Sequence, residues 1–391
     1  MNDGSPLTSP PGLLPAGLTD LLPPQAEREA VLVEALMEGF ARHGYERVKP
    51  PLLEFEEGLL AGSGAAVSEQ TFRLMDPVSQ RMMGLRADTT PQVSRIAATR
   101  LGAQARPLRL SYAGQVLRVR GSELAPARQL AQAGIELIGG AAPEADAEVA
   151  LVAAEALARI GITDITLDVT LPRMAQALLA AAGLPDDQEQ RLIRALDRKD
   201  AAAVAEAADG PVAALLPRLL AAAGPAAHAL EVLRAADLPA AARAIAENAA
   251  RIIEAIAGRA PGLRITLDPV EFRGFRYHVG VAFTIFGPGV SGELAKGGRY
   301  LSANDEPATG MTLYPDAVLR AAPAEAPRPR CFLPLGTPAA VGAALRRQGY
   351  VTVAALGAED TARALRCTHF WDGASAVPLQ SKGSQPWPTS P

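Results

Sequence analysis

The sequence predicts an α+β fold, in which helices flank an antiparallel sheet. The first observation is that apolar strand patterns recur along the chain and are separated by helices with one apolar face. The second is an Ala- and Leu-rich stretch over 171–258, which predicts a helical insertion. The third is a short alternation of strand and helix patterns after residue 330, which predicts a small α/β unit.

The first elements follow a polar, Pro- and Ser-rich segment over 1–12 that predicts disorder. Residues 25–43 predict an amphipathic helix, with Leu36 and Phe40 on its apolar face and Gly44 as its stop. Residues 45–49 predict a short strand that a Pro-Pro pair ends.

The next elements are a strand over 82–86 and a helix over 91–101, which Thr89 or Thr90 would cap. Residues 109–139 predict two strands, a long polar connection and a third strand. A helix over 144–160 and a strand over 163–169 follow.

The insertion over 171–258 predicts several short helices, because Gly and Pro pairs interrupt its helical spacing. Further strands are predicted over 263–267, 277–286 and around 310–314. The large core is therefore expected to comprise residues 13–170 and 259–321.

The small α/β unit is expected over 330–375, and a disordered polar tail over 376–391. Its pattern is an alternation of three strands with two helices. The predicted order is strand 330–334, helix 337–347, strand 350–355, helix 358–365 and strand 367–371.

Composition excludes several classes of protein. The chain has 391 residues, 49% of them hydrophobic, and a formal net charge of −4, which argues against a strongly basic nucleic-acid surface. Only two cysteines occur, so we expect neither a disulfide framework nor a metal site, and a reduced, cytoplasmic setting. No apolar run reaches the roughly 20 residues that span a bilayer, so no membrane partner is expected.

The third strand of the 109–139 segment carries Gln132 and Glu136 at alternating positions, so both side chains point to one face. Their apolar neighbours Ile135 and Leu137 indicate a buried strand, in which unpartnered polar groups are costly. Either a polar ligand meets this pair, or the pair lies on a solvated strand face.

The segment just before it, Leu117-Arg118-Val119-Arg120, resembles motif 2 of the class II aminoacyl-tRNA synthetases, and within them histidyl-tRNA synthetase. The family pattern is Phe-Arg-x-Glu, so the arginine is kept and the acid is replaced by Arg120. The helix, strand and proline near the N-terminus resemble motif 1, which in that family builds a homodimer interface.

Leu85 to Thr90 resembles the family's Leu-Arg-Pro-Glu-Gly-Thr, whose acid and threonine hold the α-amino group of histidine. The resemblance gives that role to Asp88 and Thr90, since an ammonium group leaving water needs such acceptors. The alternative is that these residues only cap the following helix. By the same resemblance, Gln132 helps to bind the amino group and Glu136 accepts from an imidazole N–H.

Residues 271–280 resemble the family's histidine-specific Arg-Gly-Leu-Asp-Tyr-Tyr-Thr-Gly. Arg273 is kept and suits the ligand's carboxylate, and Tyr277 is kept. His278 replaces the second tyrosine and Arg276 replaces the aspartate. The alternatives are a surface salt bridge for Arg273 and a structural role for His278.

Two further segments resemble the family in part. Gly297 to Tyr300 resembles Gly-Gly-Arg-Tyr-Asp, and its two glycines also permit a tight turn. Residues 310–318 align with motif 3, but Ala317 stands where the phosphate-clamping arginine belongs, and Tyr314-Pro315 replaces the second glycine and its neighbour. Adenylate formation needs cations on a charged transition state, so Arg118 is left as a vestigial phosphate-binding residue.

A histidyl-tRNA synthetase-like fold without adenylation resembles the regulatory subunits of ATP phosphoribosyltransferase. This resemblance implies a non-catalytic chain that activates a short-form catalytic subunit in histidine biosynthesis and mediates feedback inhibition by histidine. It also implies a homodimer core within a hetero-oligomer. We expect histidine as effector and no cofactor, and no catalytic residue or metal ligand. The predicted histidine-binding residues are Asp88, Thr90, Gln132, Glu136, Arg273, Tyr277 and His278.

No tRNA partner is expected, because residues from 328 onward hold only seven Arg and Lys against three Asp and Glu on a short unit. The alternatives are an active histidyl-tRNA synthetase or another amino-acid-activating paralogue. A scaffold subunit that binds no histidine is a further possibility. No P-loop or G-x-G-x-x-G segment offers a different nucleotide site.

Overall fold

The computed structural model describes residues 12–121, 126–208, 210, 212–271, 277–324 and 326–379. The chain divides into two compact units, Met1–Ala322 and Pro323–Pro391. The expected disordered segment over 1–12 lies almost wholly outside the described residues, as does the expected tail from residue 380.

The strands of the first unit form a nine-stranded sheet and a three-stranded sheet. They are β1 Glu46–Arg47, β2 Leu53–Phe55, β3 Arg73–Met75, β4 Met82–Leu85, β5 Leu108–Leu117, β6 Gln129–Ile138, β7 Thr166–Thr170, β8 Gly224–Pro225, β9 Arg264–Asp268, β10 His278–Phe286, β11 Ala295–Leu301 and β12 Pro307–Leu313.

The helices of the first unit surround these sheets. They are α1 Gln25–Arg42, α2 Glu56–Leu59, α3 Thr90–Thr99, α4 Pro143–Arg159, α5 Met174–Ala182, α6 Asp186–Asp197, α7 Ala201–Ala207, α8 Val212–Ala221, α9 Ala226–Arg234, α10 Ala240–Arg259 and α11 Pro315–Ala321.

The large sheet has the order β1-β5-β6-β12-β11-β10-β7-β9-β8. Its central pairs are antiparallel, as predicted, whereas β1 with β5 and β7 with β9 are parallel. The small sheet, β2-β4-β3, is antiparallel throughout.

Strand alternation separates the two faces of the large sheet, as β6 shows. Ala133, Ile135 and Leu137 point into the main core, which α1, α4 and the insertion helices cover. The opposite face carries Gln132 and Glu136, and a smaller apolar cluster there packs beneath α3. The large core thus holds the sheet rigidly from one side, while polar side chains meet on the other.

Residues 174–259 consist mainly of helices, α5 to α10, which pack through buried leucines into the main core. The interruptions between these helices have physical causes. Helix α5 ends at Gly183, whose φ of +58° lies in the left-handed region that glycine adopts without strain. Pro185 then precedes α6.

The prediction was wrong at two places in the first unit. Residues 108–117 form one strand of ten residues and not two strands. Gly297 and Gly298 lie within β11 and form no turn. A Cβ on Gly297 would lie 2.0 Å from the carbonyl oxygen of Gly310 on the neighbouring strand. The glycines thus serve close strand contact, which sequence alone does not distinguish from a turn.

The second unit contains a four-stranded sheet in the order β14-β13-β15-β16 and one helix, α12. Its elements are β13 Arg330–Leu333, α12 Ala339–Arg347, β14 Val351–Ala354, β15 His369–Trp371 and β16 Ala376–Pro378.

Two predictions for this unit were wrong. The expected helix over 358–365 is a run of turns, because Asp360 accepts hydrogen bonds from the backbone N–H groups of Leu356 and Gly357 and holds the chain in a turn. The expected tail begins too early, because residues 376–378 pair with β15 as a strand.

Among the described residues, no helix is long and apolar enough to cross a membrane.

Candidate functional site

The candidate site lies on the sheet face opposite the main core, where β5, β6, β12 and β11 run side by side. The register places Gln132 beside Gly114, Gly134 beside Tyr112, and Glu136 beside Gly310. Residues that lie directly opposite each other on adjacent strands point to the same face. The sheet therefore brings side chains from distant parts of the sequence to one surface.

Glycines form the floor of this surface. A Cβ on Gly310 would stand 1.9 Å from a carboxylate oxygen of Glu136, and one on Gly134 would stand 2.5 Å from the hydroxyl of Tyr112. A Cβ on Gly298 would meet the ring of His278 at 2.7 Å. Side chains from the strands and from the segment before α3 lie directly over backbone here, so any alanine at these positions would displace them.

Glu136 is the central acid of the site and is 1% exposed. Its Oε1 accepts from the hydroxyl of Thr90 at 2.8 Å, and its Oε2 accepts from the hydroxyl of Tyr300 at 2.8 Å. Burial raises the pKa of this carboxyl to about 8, because the hydroxyls of Thr90, Tyr300 and Tyr112 only partly offset its desolvation and the charge of Asp88 adds to the rise. Within the described residues, no Lys or Arg forms an ion pair with it.

Gln132 and Asp88 form a second polar group along the same face. The side-chain oxygen of Gln132 accepts from the backbone N–H and the hydroxyl of Thr89, at 3.1 and 2.9 Å. The Gln132 amide nitrogen lies 3.5 Å from one oxygen of Asp88, and the other Asp88 oxygen accepts from the backbone N–H of Thr90 at 2.9 Å. Asp88 therefore accepts from the N–H of the first residue of α3 and also faces Gln132.

Aromatic side chains form one wall of the site. The ring centroids of Tyr277 and His278 lie 4.2 Å apart, and those of Tyr277 and Tyr300 lie 5.9 Å apart at nearly a right angle. Burial, reinforced by the charges of Asp88 and Glu136, raises the pKa of the Tyr277 phenol well above its usual range. The phenol thus stays a neutral hydrogen-bond donor beside both carboxyl groups.

Arg273 and Arg118 differ from the other site residues predicted from the sequence. Arg273 belongs to residues 272–276, which lie outside the described residues. Arg118 follows the end of β5, and its Nε donates to the carbonyl of Ala87 at 3.4 Å, which turns this arginine toward the segment that carries Asp88. The structure thus brings together six of the seven predicted histidine-binding residues and places Arg118 beside them.

Sequence reasoning missed several residues of this face. Tyr112 bonds the Thr312 hydroxyl at 2.7 Å and lies 3.4 Å from that of Thr90. Thr89 anchors Gln132, and Tyr314 follows the end of β12. The signal that could have found Thr312 is its position two residues after Gly310 on the same strand, and Tyr314 follows at the same spacing just beyond the strand.

The arrangement suits binding better than bond making. Two carboxyl groups, an amide, several hydroxyls and an aromatic wall surround a glycine floor. Such a set fits a small cation that carries a second polar group. Among the described residues, no group of three or more His, Cys, Asp or Glu side chains could hold a metal ion.

Comparisons with known proteins agree with this geometry. A family model described as histidyl-tRNA synthetase matches residues 17–318. The ATP phosphoribosyltransferase regulatory subunit of Rhodospirillum centenum is 54% identical over 382 residues, covering 96% of this chain and 99% of that protein.

Solved structures share the fold. An ATP phosphoribosyltransferase regulatory subunit/histidyl-tRNA synthetase from Bacillus halodurans superposes with a TM-score of 0.80 at 23% identity, covering 93% of this chain and 98% of that one. A chain of the ATP phosphoribosyl transferase (HisG:HisZ) complex from Thermotoga maritima gives a TM-score of 0.58 at 18% identity, covering 73% and 97%. These likenesses confirm the predicted class II synthetase-like α+β fold.

Proposed function

The chain belongs to the family of ATP phosphoribosyltransferase regulatory subunits, and we propose that it activates a short-form catalytic subunit and makes that subunit sensitive to histidine. The observation that carries the proposal is the pair of carboxyl groups, Asp88 and Glu136, that one sheet face brings to a single glycine-floored site. In this proposal the chain makes no bonds itself, and the catalytic subunit carries the chemistry.

Histidine matches the chemistry of this face group by group. Its ammonium group pairs with Asp88, which the Gln132 amide group faces, and its imidazole meets Glu136 and the wall of Tyr277 and His278. The ligand's carboxylate is left for Arg118 and, by family resemblance, Arg273. Thr90 serves both ends, because its backbone N–H holds Asp88 and its hydroxyl holds Glu136.

Feedback inhibition through such a site requires that histidine binding and binding of the catalytic subunit are thermodynamically linked. Histidine inhibits only if it binds the inactive assembly more tightly than the active one, and the catalytic subunit then binds the two states with the reciprocal preference. A tenfold difference in affinity corresponds to about 1.4 kcal/mol, which one charged contact supplies. The partner is proposed from the family name and from the Thermotoga maritima complex, of which one chain shares this fold.

We also infer that the chain forms no histidyl adenylate. Ala317 is buried in α11, where the synthetase motif has its phosphate-clamping arginine, and Arg120 stands exposed where motif 2 has its acid. Arg118 alone leaves the charge of an adenylation transition state largely uncompensated. Histidine-dependent exchange of pyrophosphate into ATP by the isolated chain would instead support the synthetase alternative.

The test is phosphoribosyl-ATP formation by the short catalytic subunit of the same genome, with and without this chain and with and without histidine. We expect activity only with the chain present and inhibition by histidine. Asp88→Asn keeps the acceptor for the Thr90 N–H but removes the charge, so it should activate normally and need at least about 30-fold more histidine for inhibition.

Asp237→Asn is the matched control, because Asp237 is fully exposed and far along the sequence from the sheet residues that form the site. It should leave both activation and inhibition unchanged. Unchanged catalytic activity on adding the wild-type chain would refute the activator role, whereas activation without histidine inhibition would leave a scaffold subunit.

A further inference from the structure

The side chain of Tyr314, whose role is unassigned, follows the strand that carries Gly310 and Thr312 at the candidate site. On β12, Gly310 lies against Glu136 and the Thr312 hydroxyl bonds Tyr112, so residues of even number face the site. The register pairs Leu313 with Ala133, and its continuation sets Tyr314 beside Gln132. Tyr314 follows the last residue of β12 in an extended conformation (φ −105°, ψ 94°), so the alternation continues and its Cα–Cβ bond points to the same face, while part of the residue also packs against the main core.

The backbone of Tyr314 is fixed from two sides. Its N–H donates to the carbonyl of Leu294 at 2.9 Å, and its own carbonyl accepts from the N–H groups of Ala317 and Val318 at 2.9 Å each. It is also the N-cap residue of α11, and Pro315 follows it as the first helical residue. A backbone anchored in this way fixes the direction of the Cα–Cβ bond, which makes the residue suited to define the edge of a binding site.

The surroundings of the phenol agree with this placement. Burial and the charges of Glu293 and Asp88 raise the pKa of the Tyr314 phenol, and the positive charge of Arg118 opposes them. The phenol therefore lies within electrostatic reach of both Asp88 and Arg118, and it remains a neutral donor at physiological pH.

The geometry points to Tyr314 as a specificity-determining residue that closes the carboxylate end of the site, so that the site admits a free amino acid and excludes one extended at its carboxyl group. This inference rests on the proposed function. With the ammonium group at Asp88 and the imidazole at Glu136, the inference directs the ligand's carboxylate to the side of Arg118 and Tyr314. The phenol hydroxyl donates to that carboxylate, and its ring occupies the space that an ester or anhydride substituent would need.

The inference also gives the loss of nucleotide chemistry a steric cause. An aminoacyl adenylate carries its nucleotide on the same carboxyl carbon, so a ring at that point obstructs it regardless of the charges nearby. A site closed in this way measures free histidine without responding to activated or esterified forms.

The test measures binding of histidine, histidine methyl ester and histidine benzyl ester to the full chain by calorimetry. The two esters have the same charge and differ in size, so their ratio isolates the steric contribution. For the wild type we expect histidine to bind most tightly and the benzyl ester at least about 30-fold more weakly than the methyl ester. In Tyr314→Ala the two esters should bind within about 3-fold of each other.

Tyr314→Phe separates the steric effect of the ring from the hydrogen bond of its hydroxyl group. It should exclude the benzyl ester as the wild type does, while binding histidine about 3- to 10-fold more weakly because one donor to the carboxylate is gone. A thermal unfolding midpoint close to that of the wild type shows that this variant is folded, which keeps the test valid if Tyr314→Ala is unstable.

The outcomes separate the two claims. Tight benzyl ester binding by the wild type or by Tyr314→Phe, or an unchanged ester ratio in Tyr314→Ala, overturns the role of Tyr314 and leaves the histidine site standing. Absence of histidine binding to the wild type overturns the proposed histidine sensor, and this inference falls with it.

Discussion

At the scale of one residue, Glu136 is a buried acid whose burial lowers the stability of the fold. A carboxyl group that is 1% exposed, with two hydroxyl donors and no ion-pair partner among the described residues, is unfavourable to ionise. Its pKa of about 8 means that the folded protein keeps it protonated under conditions in which the unfolded chain ionises it. Such a residue stays in a structure at a cost in stability, which is typical of a binding site.

This shift predicts a pH dependence of stability. Because the folded-state pKa is raised above the unfolded value of 4.5, the folded state binds more protons between these two pH values, and stability falls as pH rises from about 4.5 to 8. Glu136→Gln removes the titration, so the variant should gain about 3 kcal/mol on the wild type between pH 5 and pH 8.

Urea unfolding at both pH values measures this gain. Glu231→Gln is the control, since Glu231 is exposed and should follow the wild type at every pH. A gap between Glu136→Gln and the wild type that does not change with pH would show that Glu136 is ionised in the folded protein.

At the scale of elements, the ion pair of Arg299 and Asp146 ties β11 to α4. The guanidinium donates to both carboxylate oxygens, at 3.0 and 2.8 Å, and also to the carbonyls of Gly140 and Ala142. Thr309 of β12 donates to the same carboxylate at 2.5 Å. Arg299 therefore holds the sheet to α4, which covers the face opposite the candidate site. At this position the Gly-Gly-Arg-Tyr segment has a structural role.

Arg299→Ala should lower the free energy of unfolding by about 3–5 kcal/mol, because it leaves the buried carboxylate of Asp146 without its counter-charge. Urea unfolding at pH 7 measures the loss. Arg191→Ala is the matched control, since Arg191 pairs with Asp187 on the surface of α6, and such exposed pairs contribute at most about 0.5 kcal/mol. Equal effects of the two substitutions would contradict the assigned role of Arg299.

At the scale of the whole molecule, the chain consists of two units of very unequal size. The first has one large continuous core, whereas the second has two small clusters of buried residues. Stability rises with the area that a unit buries, so the second unit should be the less stable. Both cysteines of the chain, Cys331 and Cys367, are buried in it, and burial raises the pKa of each thiol.

The two thiols therefore report on the second unit alone. With increasing urea, their reaction with a thiol reagent should become fast at a lower concentration than the loss of the far-ultraviolet circular dichroism signal, which the first unit dominates. A shortened chain that ends at Ala322 should keep the main dichroism transition. Coincident midpoints for thiol reaction and dichroism in the full chain would show that the two units unfold together.

Several helices, the shared face of two site residues and the family could all be predicted from the sequence. The periodicity of α1, α3 and α4 predicted these helices to within a few residues, because amphipathic spacing is a local property. Alternation on β6 placed Gln132 and Glu136 on one face. The motif resemblance gave the family and the class II synthetase-like fold, which the relatives and the solved structures confirm.

Which distant residues contact Gln132 and Glu136 depends on the tertiary structure. Thr90, Tyr112, Tyr300 and Thr312 reach Glu136 or its neighbours through strand pairings that join parts of the chain up to 200 residues apart. The tertiary structure also places Gly297 and Gly298 within a strand. The physical reason is that register and parity depend on which strands pair, and pairing is set by the burial of the whole sheet, which no local pattern contains.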